Sequence, residues 1–186
     1  MSLRRSSVAN KRIILISFEL PPELAGGIAS VTVDKIRGFE QRGFEVTVIG
    51  PRSRKTARTS YSKWPMRSIP VRSNPLKFMF SLYWLLIESL IRRPDYIYST
   101  SATWAGLAAS IAGGIYRIPY FVMVHGNEFI RFEHSPRIRT MIGLVFRRAA
   151  GIMAVSRFSA AEVLRIYGVE SKKIHTVSVS YTHLRA

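Results

Sequence analysis

Arg12-Ile13-Ile14-Leu15-Ile16-Ser17-Phe18, followed by Glu19-Leu20 and then Pro21-Pro22-Glu23-Leu24-Ala25-Gly26-Gly27-Ile28, is the stretch whose reading decides the fold. Residues 12–18 form an unbroken apolar, β-branched run, the pattern of a parallel strand buried on both faces. The two prolines stop it. Gly26 and Gly27 then open a helix in which Ile28, Val31, Ile36 and Phe39 fall on one side, and Gly43 caps its end before a second strand at 45–49. One strand–helix–strand unit is complete by residue 49.

The same alternation continues outward. Strands are predicted at 67–71, 96–99, 120–124, 151–155 and 174–177, and helices at 76–91, 102–116, 135–148 and 159–167. Strands that alternate with helices predict an α/β, doubly wound, mostly parallel Rossmann-like sheet with helices on both faces. We divide the chain into a basic tail at 1–11, one Rossmann-like domain at 12–177 and a tail at 178–186. A chain of 186 residues has room for one domain of ordinary size.

Composition narrows the chemistry. With no cysteine in the sequence, a disulfide scaffold and thiolate metal sites are excluded, and no metal or cofactor is expected. Lys and Arg number 28 against 11 Asp and Glu, a formal charge of +17, which favours anionic partners. Eight basic residues and no acidic one lie between Pro51 and Lys77: Arg52, Arg54, Lys55, Arg58, Lys63, Arg67, Arg72 and Lys77. They form a candidate anion or membrane patch. The basic N-terminus resembles a secretory signal, but its apolar run meets Ser17 and Glu19 before reaching the about 7–15 residues such a signal needs. The uncharged run 78–87 is likewise too short for the about 20 residues of a spanning helix. A cytoplasmic protein, peripheral at a membrane face, is the expectation.

Three motifs fall at the carboxyl ends of strands, where open α/β sheets bind ligands. Gly26 and Gly27 leave the helix N–H groups open to an anion, favoured there by the helix dipole. The dinucleotide fingerprint G-x-G-x-x-G is missing, which disfavours a classical NAD site. His125-Gly126-Asn127-Glu128 follows the strand at 120–124. Its imidazole could donate a hydrogen bond to a sugar hydroxyl or a developing charge, or serve the structure alone. At Ser156-Arg157-Phe158-Ser159 the expectation is helix capping by Ser159 with Glu162 three residues on, while Ser156 could still face a ligand. The helix at 76–91 is apolar almost all round, more than core packing alone requires.

Taken in order, residues 18–22, Gly26-Gly27-Ile28, the strand from Gly43 to Val48, Pro94-Asp95, His125-Gly126-x-Glu128 and residues 150–159 resemble the N-terminal half of a glycosyltransferase family 4 enzyme. That family is the retaining, sugar-nucleotide-dependent class with two facing Rossmann-like domains, the GT-B architecture. The resemblance implies a first domain that binds mainly the acceptor, a glycan or lipid-linked molecule. It also implies that Gly26, Gly27 and His125 reach toward the phosphates and sugar of a nucleotide-sugar donor. Glu128 and Ser156 carry weaker roles of the same kind, and His125 is the catalytic candidate. After residues 172–177 the family pattern would continue into a second domain. Residues 178–186 depart from it and resemble translated adapter sequence, so a truncated chain, inactive in transfer by itself, is the expectation. Two other readings stand beside this one: a non-catalytic basic module for acidic lipid or nucleic acid, and half of a sugar-nucleotide epimerase of the same architecture. No nucleic-acid reader motif is present.

Overall fold

The computed structural model describes residues 10–20, 27–51, 65–69, 74–126, 128–129, 132 and 134–177. In chain order these form β1 (Arg12–Ile16), α1 (Gly27–Gln41), β2 (Glu45–Gly50), β3 (Met66–Ser68), α2 (Asn74–Arg92), β4 (Tyr96–Ser99), α3 (Trp104–Tyr116), β5 (Tyr120–Val124), α4 (Pro136–Arg148), β6 (Gly151–Ala154), α5 (Arg157–Tyr167) and β7 (Ile174–Thr176). The seven strands make one parallel sheet in the order β3-β2-β1-β4-β5-β6-β7. This is the predicted doubly wound Rossmann-like sheet.

The apolar run that announced β1 works by parity. Successive side chains of a strand point to opposite faces, so Ile14 and Ile16 enter a core built with α2, α3, α4 and α5, whereas Ile13 and Leu15 enter a second core under α1. All four are essentially inaccessible to solvent. Among the described residues the cover is unequal, with α1 alone on one face and four helices on the other. Right-handed crossovers require this. The chain moves one way along the sheet from β1 to β2 and the opposite way from β3 through β7.

Small side chains let the crowded face close. Ala105, Ala108, Ala109 and Ala112 of α3 are fully buried, and a Cβ at Gly106 would stand 2.8 Å from the Ser101 carbonyl oxygen. The predicted cap at Gly43 is present. Its φ is 86°, and its N–H donates to the Glu40 carbonyl. Helix α2 packs in an unexpected sense: Ser81, Leu85, Glu88 and Ser89 face inward and are buried. The Glu88 carboxylate, wholly inaccessible, accepts from Arg67 Nε at 2.5 Å and from Arg92 Nε at 2.7 Å. This clamp ties α2 to the edge strand β3.

A buried carboxylate stripped of both cations lacks both bulk water and a charged partner, a change that costs about 3–5 kcal/mol. Arg67→Ala with Arg92→Ala is expected to lose about 3 kcal/mol in denaturant unfolding, and Glu88→Gln added to that background to restore part of it. Failure of the glutamine to restore stability would contradict the clamp.

On β5, the Tyr120 hydroxyl donates to the Val145 carbonyl at 2.5 Å, and burial pushes its pKa up to about 12. An unfolded tyrosine ionises near about 10. The folded chain therefore keeps a proton that the unfolded chain releases, and stability falls as pH rises from about 10 toward 12. Tyr120→Phe should flatten that alkaline fall while costing about 1 kcal/mol at neutral pH. An unchanged alkaline slope would contradict it.

Candidate functional site

The order of strands reverses between β1 and β4, and at such a switch point the loops leaving the carboxyl ends diverge and open a crevice. On the β1 side, Ser17 is fully buried, and its hydroxyl both donates to the Glu19 carbonyl and accepts from the Glu19 N–H. A Cβ on Gly50, at the end of β2, would stand 2.8 Å from the Ser17 carbonyl, so the loop leaves β1 pressed against its neighbour. Gly27 is the first residue of α1 and is exposed, and the first turn of that helix carries no acidic residue. Gly26 lies outside the described residues.

On the β4 side, the loop is tied down by hydroxyls: Ser99 Oγ donates to the Ser101 carbonyl, and Ser101 Oγ lies 2.8 Å from Thr103 Oγ1. This ordered loop presents the Thr100 carbonyl to His125, whose Nε2 lies 3.0 Å away. A carbonyl can only accept, so Nε2 carries the proton. The half-buried imidazole is thereby fixed in one tautomer, with Nδ1 left as an acceptor in the neutral ring. Sequence reasoning expected a donating imidazole. The donor nitrogen is already engaged, so the neutral ring can take a hydrogen bond from a ligand hydroxyl through Nδ1 instead.

Gly126 has φ 99°, the conformation that bends the chain sharply after β5. Glu128, nearly buried, turns its carboxylate back onto that bend and accepts from the N–H groups of Gly126 at 2.8 Å and His125 at 3.3 Å. Both oxygens of Glu128, which the resemblance gives a weaker donor-site role, hold the turn that carries His125. Gly126 also abuts α5, since a Cβ there would stand 3.0 Å from Ser159 Oγ.

The cap of α5 is corrected too. Ser156 is the capping residue, and its Oγ accepts from the Ser159 N–H at 3.0 Å. Ser159 is the third helical residue, while Glu162 pairs with Arg165 at 2.7 Å. The Ser156 hydroxyl is used for folding and reaches 3.0 Å from Ser159 Oγ.

Beside the bend, a pocket of about 210 Å³ is lined by Gly126, Phe129, Arg139, Phe158, Glu162 and Tyr167 among others. Arg139 comes from α4, outside the motifs that the sequence offers, whereas Phe158 belongs to the motif at 156–159. Of the predicted basic patch, Arg52, Arg54, Lys55, Arg58, Lys63 and Arg72 lie outside the described residues, Arg67 is held by Glu88, and Lys77 stands in α2. No group of three or more His, Asp or Glu that could hold a metal occurs among the described residues.

Comparison with known proteins bears on the family and the fold. The model of Glycosyltransferase Family 4 matches residues 25–179. No curated protein sequence matches the chain. Among solved structures, Anabaena HepE in complex with UDP and glucose is similar with a TM-score of 0.67 at 15% identity, covering 91% of this chain and 44% of that one. The UDP-GlcNAc 2-epimerase of Methanocaldococcus jannaschii gives 0.63 at 16%, covering 90% and 45%. A glycosyltransferase from Rickettsia africae gives 0.61 at 15%, covering 91% and 43%. The chain therefore spans less than half the length of these structures, and at such identities the likeness concerns the fold, one Rossmann-like half of a GT-B architecture. Because the family model spans most of the sheet, from α1 past β7, the chain belongs to glycosyltransferase family 4.

Proposed function

We propose that this chain forms the acceptor-side half of a retaining glycosyltransferase, which moves a sugar from a nucleotide-sugar donor to a glycan or lipid-linked acceptor. The observation that carries the reading is the fixed imidazole of His125 at the carboxyl edge beside the switch point. Its Nε2 is anchored on the Thr100 carbonyl and its backbone N–H on Glu128. In this reading Nδ1 accepts a hydrogen bond from a hydroxyl of the transferred sugar. The N–H groups of the first turn of α1, from Gly27 on, face the donor phosphates, where the helix dipole favours negative charge. HepE, similar in fold, is described with UDP and glucose bound, which supports a nucleotide-sugar donor.

Mechanistically, the chain's own residues position and shield rather than supply a nucleophile. Holding the sugar at a fixed angle to the acceptor turns an encounter into a positioned reaction. An imidazole held by the Thr100 carbonyl, on a backbone held by Glu128, needs little reorganisation as charge develops on the sugar, so its contribution is expressed mainly in the transition state. A second reading, epimerisation of a nucleotide-sugar, is favoured by one observation: the similar folds include UDP-GlcNAc 2-epimerases.

Both readings are tested in a form of the protein that carries a second Rossmann-like domain. His125→Ala should lower kcat by about 100-fold while the donor KM changes by less than about threefold. Unchanged kinetics would leave His125 with a structural role only. Product analysis by NMR separates the reactions, since a transferase releases the nucleotide only when acceptor is present. Conversion of the donor sugar to its epimer without acceptor would establish the second reading instead.

A further inference from the structure

The pocket beside the His125 bend has a continuation. A second cavity, of about 350 Å³, is lined by Arg139, Gly143, Arg147, Ile166 and Tyr167 among others, and it shares Arg139, Ile166 and Tyr167 with the first. The two form one furrow between α4 and α5. It starts at Gly126, the residue after His125, and runs along α4 to Arg147 in the last turn of that helix. A missing side chain and a ring shape its wall: Gly143 is buried, and a Cβ there would stand 3.2 Å from the Tyr167 ring and 3.3 Å from an Nη of Arg147. The Tyr167 ring is itself held, edge-on to Phe146 at 5.0 Å and tilted against Phe129 at 6.4 Å between centroids.

Charge along the furrow is uneven. Glu162 lines it, but its two oxygens accept from Arg165 at 2.9 and 2.7 Å. Glu128, near enough to Tyr167 to act on its ionisation, has both oxygens on backbone N–H groups. Arg139 and Arg147, by contrast, have no ion pair among the described residues. Lys173, whose Nζ donates to the Arg147 carbonyl, adds a cation at that end. The two arginines stand eight residues apart, about 12 Å along the helix axis. Arg139 lines both cavities and Arg147 only the second, so the positive charge is spaced along the furrow. Guanidinium forks match carboxylates through paired hydrogen bonds, and two of them at intervals beside a ring suit an extended ligand that carries carboxylates along its length.

We propose that the acceptor is an acidic glycan, whose carboxylate-bearing sugar units lie in the α4–α5 furrow with their charges on Arg139 and Arg147. The end of the glycan that reaches Gly126 is the one presented beside His125. This inference rests on the transferase reading, which makes the ligand at that edge an acceptor, but the preference of the furrow for an acidic chain is a binding property and is measured without turnover.

The test is calorimetric titration of the 186-residue chain at about 0.15 M salt with tetragalacturonate, with maltotetraose as a neutral chain of the same length and with inorganic phosphate as an anion alone. Wild type should bind tetragalacturonate at least about tenfold more tightly than either control, and Arg139→Ala/Arg147→Ala should lose about tenfold of that affinity. Arg137→Ala/Arg148→Ala removes the same charge from the same helix at positions that line neither cavity, and its affinity should stay within about threefold of wild type. That pair separates the furrow from the general attraction of a chain of charge +17. Circular dichroism checks that the variants fold; if Arg139→Ala/Arg147→Ala does not, Arg139→Ala alone serves in its place. Equal weakening by the two double variants, equal affinity for tetragalacturonate and maltotetraose, or binding of phosphate as tight as that of tetragalacturonate would overturn the proposal. Transfer to a neutral glycan by the two-domain form, with no binding of tetragalacturonate, would overturn it while the transferase reading stood.

Discussion

Burying β1 on both faces is the constraint from which the rest of the molecule follows. A strand of consecutive isoleucine and leucine cannot leave either side wet, so the sheet must carry helices above and below it. Burial of one such side chain is worth about 1.5–3 kcal/mol, and β1 places four of them in two separate cores. With β1 central, the chain must extend the sheet to one side through β2 and β3 and then return to build the other side from β4 onward. The reversal at β1 and β4 is thus a consequence of packing, and it creates the crevice where the candidate site lies.

The site follows the same logic at smaller scale. Four strand ends deliver short loops to one edge, and each loop is held by its own hydroxyl or carboxyl groups before any ligand is considered. Ser17, Ser99, Glu128 and Ser156 all bind backbone groups of their own loops. Their task is to hold still the edge on which His125 stands. Preorganisation of this kind lets a single imidazole contribute to a reaction without being a nucleophile.

Much of this was legible in the sequence. Periodicity located every strand of the sheet, and the glycine at position 43 marked a helix end, because those signals are local: a strand buried on both faces and a left-handed cap each leave their mark within a few residues. The roles of Glu128 and Ser156 were less legible, since a carboxylate after a histidine reads equally as a ligand or as a turn partner until its oxygens are placed. The cap of α5 was displaced by three residues because both Ser156 and Ser159 have capping chemistry. Two features came only from long-range packing. The Arg67–Glu88 pair joins residues 21 positions apart, and the His125–Thr100 hydrogen bond joins residues 25 apart. The reversed rotation of α2 depends on the first of these pairs, and the tautomer of the imidazole on the second.

The central claim is that the carboxyl edge of the sheet, at the β1 and β4 switch point and the neighbouring end of β5, is where a nucleotide-sugar meets this chain. Titration of the 15N-labelled chain with UDP-glucose, followed by backbone amide NMR, tests it most directly. The account predicts shifts concentrated at Gly27, Thr100, His125 and Gly126, with Arg93, Arg117 and Arg148 at the opposite edge unmoved. Shifts confined to that opposite edge, or none as the nucleotide-sugar is raised to saturation of its solubility, would contradict it.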